Sequence, residues 1–257
     1  MTARPEVVVA LLTPFDEDGA VDLDALGEHV ELLLAAGVDA LMPCGTTGEG
    51  PLLDPDEVEV ANGHVCDVAA RRARVIAHVG RADTETTVHL ARQALRLGAA
   101  AVSAVVPYFY ALGDEQVLRH YRALLAAAEG APVYAYTIPA RTGNELSLDV
   151  VRALAAEGLA GVKDSTKSLE RHREYLATGV DVLTGTDGFV VESLRAGAAG
   201  CVSALANVDP ELLCRARDGA DVQDEISALR SELPFPKLKG AVAERLPGYP
   251  TRYRAPL

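Results

Sequence analysis

The sequence is 257 residues long, 49% apolar and 24% charged, which suits a soluble globular chain: either two small domains or one large α/β barrel. Its formal charge of −13 argues against nucleic acid or an anionic membrane as partner, since both select basic surfaces. No apolar run approaches the ~20 residues that span a bilayer, and residues 1–6 lack the basic and apolar blocks of a signal peptide, so a cytoplasmic protein is expected.

Short apolar runs then alternate with amphipathic helical patterns. Residues 7–12 read as a strand and 23–36 as a helix with apolar residues at helical spacing, stopped by Gly37. Residues 38–43 form the second strand, and 54–71 a helix opened by Asp54-Pro55, an N-cap followed by proline in the first turn. Strand 74–79 precedes helix 84–97, strand 101–106 precedes helix 114–129, and strand 132–136 precedes helix 147–157. The sixth to eighth pairs are 159–163 with 169–178, 181–185 with 188–196, and 200–204 with a helix from Pro210. Two further helices, 222–233 and 236–246, lead into a proline-punctuated coil.

Strand–helix alternation implies a parallel sheet, because parallel neighbours need crossover helices. Eight units favour closure into a (β/α)8 TIM barrel with right-handed crossovers. An open sheet calls for a glycine-rich phosphate fingerprint after the first strand, where Thr13-Pro14-Phe15-Asp16 stands instead. Residues 1–220 are assigned to the barrel and 221–257 to a short C-terminal helical extension. Cys44, Cys66, Cys201 and Cys214 include no C-x-x-C pair, and no two of the six histidines have the i, i+4 spacing of a helical metal site. No metal is expected, and Cys44 and Cys201 read as small buried hydrophobes.

In such a barrel, chemistry sits on the loops after the strands' C-terminal ends. Lys163 closes the sixth strand, and only Lys167, Lys237 and Lys239 join it as lysines in a chain that otherwise uses arginine. By itself Lys163 fits a side chain snorkelling off a strand end, or a desolvated amine of lowered pKa that attacks carbonyls. Gly45-Thr46-Thr47-Gly48, after strand two, suits a plain turn or a nest of N–H groups for a carboxylate or phosphate. Tyr136 ends strand five beside Lys163; it either braces the barrel or passes protons to and from a lysine adduct. Arg141 is either a solvated loop cation or a bidentate carboxylate ligand. Asp164 and Asp187 stand where carboxylates often cap loops, against an acid–base pair. Taken together, the lysine, nest, phenol and arginine point to carbonyl chemistry on an oxo-acid. The lysine condenses with a keto group, and the iminium serves as electron sink for making or breaking a C–C bond, with no cofactor beyond that covalent imine.

The runs Gly45-Thr46-Thr47-Gly48-Glu49, Tyr136-Thr137-Ile138-Pro139-Ala140-Arg141-Thr142-Gly143 and Gly161-Val162-Lys163-Asp164, with their spacing, resemble the dihydrodipicolinate synthase and N-acetylneuraminate lyase family. The resemblance covers the chain up to the tail. It implies a (β/α)8 barrel, usually a homotetramer, that forms a Schiff base between Lys163 and pyruvate, with Tyr136 the proton-relay tyrosine and Thr46 its relay threonine. It further implies that Thr47 and the Gly45 backbone hold the pyruvate carboxylate, and that Gly185 and Val202 line the pyruvate pocket. Arg141 matches the arginine that takes the carboxylate of the aldehyde substrate in the synthases, where sialate lyases resemble Ala-Leu-Thr-Gly. Three departures accompany it. Phe109 replaces the tyrosine that reaches into a neighbouring subunit's site, leaving Tyr110 as the nearest substitute; Thr137 replaces asparagine; and the C-terminal helical region is abbreviated. The expected activity is a class I lyase condensing pyruvate with, or releasing it from, a small carboxylate-bearing aldehyde or keto-acid, in a homo-oligomer, dimer or tetramer. Arg141 favours a synthase-like reaction and Phe109 a catabolic pyruvate aldolase or dehydratase acting on a 2-keto-3-deoxy acid. A non-catalytic oxo-acid sensor is the reading from another class, against which Lys163 and Tyr136 weigh.

Overall fold

Strands β1 (Glu6–Ala10), β2 (Ala40–Met42), β3 (Arg74–His78), β4 (Ala101–Val105), β5 (Val133–Thr137), β6 (Gly161–Asp164), β7 (Asp181–Thr184) and β8 (Gly200–Ser203) close into one parallel barrel in sequence order. This is a computed structural model that describes residues 4–257. The reading of residues 1–6 as lacking a signal peptide rests partly on Met1–Ala3, which lie outside the described residues. The chain is a (β/α)8 TIM barrel with C-terminal helices. Among the described residues, no helix is long and apolar enough to cross a membrane.

The helices between strands are α1 (Leu23–Ala35), α2 (Pro55–Ala69), α3 (Thr84–Arg96), α4 (Asp114–Ala128), α5 (Pro139–Thr142), α6 (Leu148–Ala156), α7 (Leu169–Leu176) and α8 (Val190–Arg195). After β8 come α9 (Pro210–Arg217), α10 (Gln223–Glu232) and α11 (Leu238–Arg245). Side chains of Asp22, Asp54, Asp83, Ser147, Ser168 and Asp209 cap the N-termini of α1, α2, α3, α6, α7 and α9, satisfying backbone donors that a helix leaves free. At α2 the Glu57 side chain returns the bond to Asp54 and completes a capping box.

Strand alternation divides the core in two. Val8, Ala10, Met42, Ile76, Tyr134, Leu183 and Val202 fill the barrel interior, while Val7, Val9, Val162 and Cys201 face the helical layer. Full burial on both faces explains why these strands are near-continuous aliphatic runs. Several strands differ from their sequence patterns. β1 stops at Ala10, because the Leu12 N–H turns to Asn207 Oδ1 (3.0 Å), and β2 keeps only three residues. Cys44 therefore lies beyond β2, in a left-handed turn (φ 58°), although it is buried as expected. All four cysteines are free thiols.

The C-terminal segment folds back over the barrel's catalytic end. Gln223 on α10 donates to the Asp187 carbonyl (2.8 Å) and accepts from Val191 N–H (3.1 Å). Lys239 on α11 is fully buried and donates to Glu49 Oε1 and to the Arg252 carbonyl, both at 2.6 Å. Glu49 Oε2 accepts the Arg254 N–H (2.8 Å), and the Lys239 ammonium lies 4.4 Å above the Phe15 ring and 4.3 Å above Tyr253. Removing one member strands the other charge in the interior. Lys239→Met is therefore expected to cost about 3–5 kcal/mol in urea unfolding, and Glu49→Leu/Lys239→Met to recover most of it.

Candidate active site

Lys163 points into the barrel because it alternates with outward-facing Val162, and it pairs in register with Tyr136 across β5–β6. The side chain is 4% exposed. Its Nζ lies 4.0 Å from the centroid of the Tyr136 ring and 3.6 Å from the Met42 sulfur. Neither neighbour is a carboxylate, and burial lowers the amine pKa to about 7. At neutral pH about half of such an amine is unprotonated, against roughly one part in three thousand for an ordinary lysine. The Tyr136 hydroxyl meets Thr46 Oγ1 at 3.3 Å. Burial pushes this phenol's pKa up, opposed by hydrogen bonds from Thr46 and Ser165 and by the charge of Arg141.

The Gly45–Gly50 turn is shaped by close backbone approach. A Cβ on Gly50 would fall 1.9 Å from the Cys44 carbonyl oxygen, and one on Gly48 2.7 Å from that of Leu11. The Gly50 N–H donates to the Gly45 carbonyl (2.9 Å), and Thr13 Oγ1 donates to the Gly48 carbonyl (2.7 Å). Glu49, also left-handed at φ 57°, is the residue that the buried Lys239 holds. The turn is thus fixed from below by the barrel and from above by α11, and it presents Thr46 and Thr47 to the mouth.

Two cavities open there. The first, about 410 Å³, is lined by Lys163, Tyr136, Thr46, Thr47, Arg141, Gly185 and Val202 among others, so the structure brings together nearly all the residues singled out from the sequence. Gly45 belongs to the same turn but does not line it. Gly185 is pressed against Ser165, whose Oγ would lie 2.1 Å from a Cβ there. Arg141 sits on the short helix α5 where the sequence suggested open loop; Pro139 starts that turn after β5. The second cavity, about 320 Å³, shares Thr46, Ile138, Arg141 and Phe235 with the first and adds His78, Tyr108 and Leu52.

Phe109 stands apart. It is 84% exposed at φ 80°, with its ring 5.1 Å from that of Tyr110, itself 71% exposed. Among the described residues neither lines these two cavities, whereas Tyr108 lines the second. Asp164 and Asp187 do not form an acid–base pair. Asp164 accepts from Thr166 N–H (2.9 Å) and pairs with buried His172 (3.0 Å), which in turn meets Ser193 Oγ at 2.7 Å. Asp187 lines the first cavity and accepts from Ser203 Oγ (2.7 Å), its pKa raised by burial. Sequence reasoning missed Met42, Ser165, Lys167, Arg230, Phe235 and Leu238; the last three come from the tail, and no spacing rule places them at the mouth.

A sequence model of the Dihydrodipicolinate synthetase family matches residues 4–221. The chain is 40% identical over 225 residues to an uncharacterized DapA-like lyase of Halobacterium salinarum, covering 85% of this chain and 72% of the relative. It is 36% identical over 239 residues to the 4-hydroxy-tetrahydrodipicolinate synthase of Geobacter sulfurreducens, covering 91% and 82%. Among solved structures it superposes on YagE, a prophage protein of the dihydrodipicolinic acid synthase family from E. coli K12 in complex with pyruvate, with a TM-score of 0.92, 25% identity, and coverage of 98% and 92%.

The lowered amine pKa has a kinetic signature. Trapping of a 2-oxo acid on Lys163 with cyanoborohydride, followed by intact mass, is expected to accelerate with pH through a midpoint near 7 and then level off. The amine must be neutral to attack, so protonation below 7 slows it; a lysine at the ordinary 10.5 would keep accelerating to far higher pH.

Proposed function

Because the chain belongs to the dihydrodipicolinate synthetase family, we propose that it acts as a class I, Schiff-base lyase of the 4-hydroxy-tetrahydrodipicolinate synthase type, joining pyruvate to a small carboxylate-bearing aldehyde or releasing it from the matching keto-acid. One observation carries the reading: a buried amine of lowered pKa over the ring of a phenol at the C-terminal end of a barrel strand.

The neutral Nζ of Lys163 attacks the keto carbon of pyruvate, the keto oxygen leaves as water, and an iminium forms. Loss of a methyl proton gives an enamine, whose carbon attacks the aldehyde carbon while the aldehyde oxygen takes up a proton. Water then hydrolyses the iminium and frees Lys163; the cleavage direction is the reverse. Tyr136 is placed to give and take these protons, with the Thr46 hydroxyl at 3.3 Å as its partner. N–H groups and hydroxyls of the Gly45–Thr46–Thr47 turn receive the pyruvate carboxylate, and Gly185 and Val202 wall the pocket. Arg141 lines both cavities and receives the carboxylate of the second reactant. The covalent imine takes the place of a cofactor.

The tail, residues 221–257, is assigned to closing the site over the barrel, since Arg230, Phe235 and Leu238 line the first cavity. A cytoplasmic homo-oligomer, dimer or tetramer, is the assembly we infer; the exposed Phe109–Tyr110 pair supplies an apolar surface for a second copy. Phe109 also favours a second reading, a catabolic aldolase or dehydratase of a 2-keto-3-deoxy acid, because its ring carries no hydroxyl for the relay.

Borohydride with pyruvate is expected to leave a pyruvyl adduct on the protein and none on Lys163→Ala; an adduct surviving that substitution sinks the reading. Tyr136→Phe is expected to lower kcat by about 10²–10³ with little change in KM for pyruvate. Arg141→Ala is expected to raise KM for the second reactant by about tenfold or more, since it removes a charged hydrogen bond.

A further inference from the structure

A neutral phenol that takes up a proton must pass its own proton on, so the Tyr136 relay needs a neighbouring group on each side of that transfer. Thr46 supplies one hydroxyl, at 3.3 Å. The tyrosine ring is pinned, with the Lys163 amine 4.0 Å from its centroid and the His78 ring edge-on at a centroid separation of 5.8 Å. His78 is a poor base for the phenol proton. Burial and the charges of Lys163 and Arg81 push its pKa down to about 3, and its buried Nδ1 has no hydrogen-bond partner. Phe109 has no hydroxyl to offer.

Ser165 differs from all of these. It lies two residues beyond Lys163, and its N–H extends the β5–β6 ladder by donating to the Thr137 carbonyl (3.0 Å). Strand alternation therefore turns its side chain to the same side as that of Lys163, and it lines the first cavity together with Lys163, Tyr136 and Thr46. Its backbone is held firmly, since Asp164 accepts the Thr166 N–H (2.9 Å) and is itself fixed by His172 (3.0 Å). Its hydroxyl is not. It fills the space that Gly185 leaves by lacking a side chain, and it donates to the Gly185 carbonyl at 3.4 Å, a long bond that leaves it free to turn. With Thr46 it acts on the Tyr136 phenol, and both oppose the rise in pKa that burial causes.

We propose that Ser165 is the second hydroxyl of the proton relay, so that Thr46, Tyr136 and Ser165 complete it within one chain and no hydroxyl from a neighbouring subunit is required. The inference rests on the Schiff-base reading above and adds a positioning residue to it: Ser165 acts through Tyr136 and not on the reactant. When the pyruvyl iminium loses a methyl proton, the C–H electron pair becomes the enamine double bond and the iminium π pair moves onto nitrogen. The proton goes to the phenol oxygen, the phenol's own proton moves to Ser165 Oγ, and the serine proton passes to water in the cavity. The reverse sequence returns a proton to the carbon. A hydroxyl suits this place because it accepts and donates at once, which neither an ammonium nor a guanidinium does. The step is common to condensation and cleavage, so it holds whichever second reactant the enzyme takes.

The test needs pyruvate alone. Exchange of its methyl protons in D2O, followed by proton NMR, reports the relay, while borohydride trapping with intact mass reports imine formation. In Ser165→Ala, exchange per trapped site is expected to fall about tenfold, with the adduct formed at the wild-type level. Ser165→Thr, which keeps the hydroxyl, is expected to return most of the rate, and Tyr110→Phe to leave it unchanged. A purely structural role for Ser165 would lower adduct and exchange together, so exchange per trapped site would not move. An unchanged rate per trapped site in Ser165→Ala, a threonine variant no faster than the alanine one, or an equal loss in Tyr110→Phe overturns the proposal while leaving the pyruvate adduct intact. Absence of that adduct in the wild type overturns the parent reading and this one with it.

Discussion

Everything at the catalytic end depends on keeping one amine out of water without giving it a counter-charge. Had a carboxylate stood beside Lys163, the amine would remain an ammonium and the nucleophile would be lost. The interior around it is instead a ring face, a thioether and aliphatic strands. A ring face stabilises a cation weakly compared with a carboxylate, enough to orient the amine and not enough to keep it protonated. The barrel achieves this by alternation: the register that puts Val162 in the helical layer puts Lys163 inside, level with Tyr136. A slip of one residue would send both away from the mouth.

The chain treats its other buried lysine in the opposite way. Lys239 is as deeply placed as Lys163, yet it has a carboxylate at 2.6 Å, a carbonyl at 2.6 Å and two aromatic faces. Desolvation lowers its pKa too, but Glu49 pulls back. On the proposed mechanism one lysine is a reagent and the other a rivet, and the difference lies in what surrounds the ammonium. The rivet matters to the reagent, since Glu49 belongs to the turn that carries Thr46 and Thr47.

Much of this was legible in the sequence because it rests on local patterns. Eight alternations of aliphatic run and capped helix specify a closed barrel, and the barrel's geometry then says which loop ends meet, so Lys163, Tyr136, Thr46 and Arg141 could be placed at one mouth from strand order, while their roles were read from the family resemblance. What stayed hidden is non-local. Residues 236–246 read as an amphipathic helix of the tail, but nothing in their spacing tells that Lys239 reaches Glu49 or that Phe235 roofs both cavities. His78 read as one more residue of a strand, because the absence of a hydrogen-bond partner is a property of the packed structure. The helical turn carrying Arg141 was missed for a simpler reason: four residues are too few for periodicity to register.

The charge distribution ties these pieces together. A protein at −13 repels anionic substrates at a distance, yet among the described residues the first cavity is lined by Lys163, Lys167, Arg141 and Arg230 with Asp187 as its only acidic side chain. At physiological ionic strength the Debye length is about 8 Å, so much of the global field fades before a substrate reaches the mouth. Inside the cavity, low-dielectric walls screen less and the local cations dominate. Asp187 does not cancel them, because burial raises its pKa and it is already engaged by Ser203 and faces Arg230 at 3.7 Å. On the proposed function, recognition of an oxo-acid is thereby confined to the last few ångströms, where Arg141 and the nest are assigned to discriminate, rather than being conferred by long-range attraction that any anion would feel.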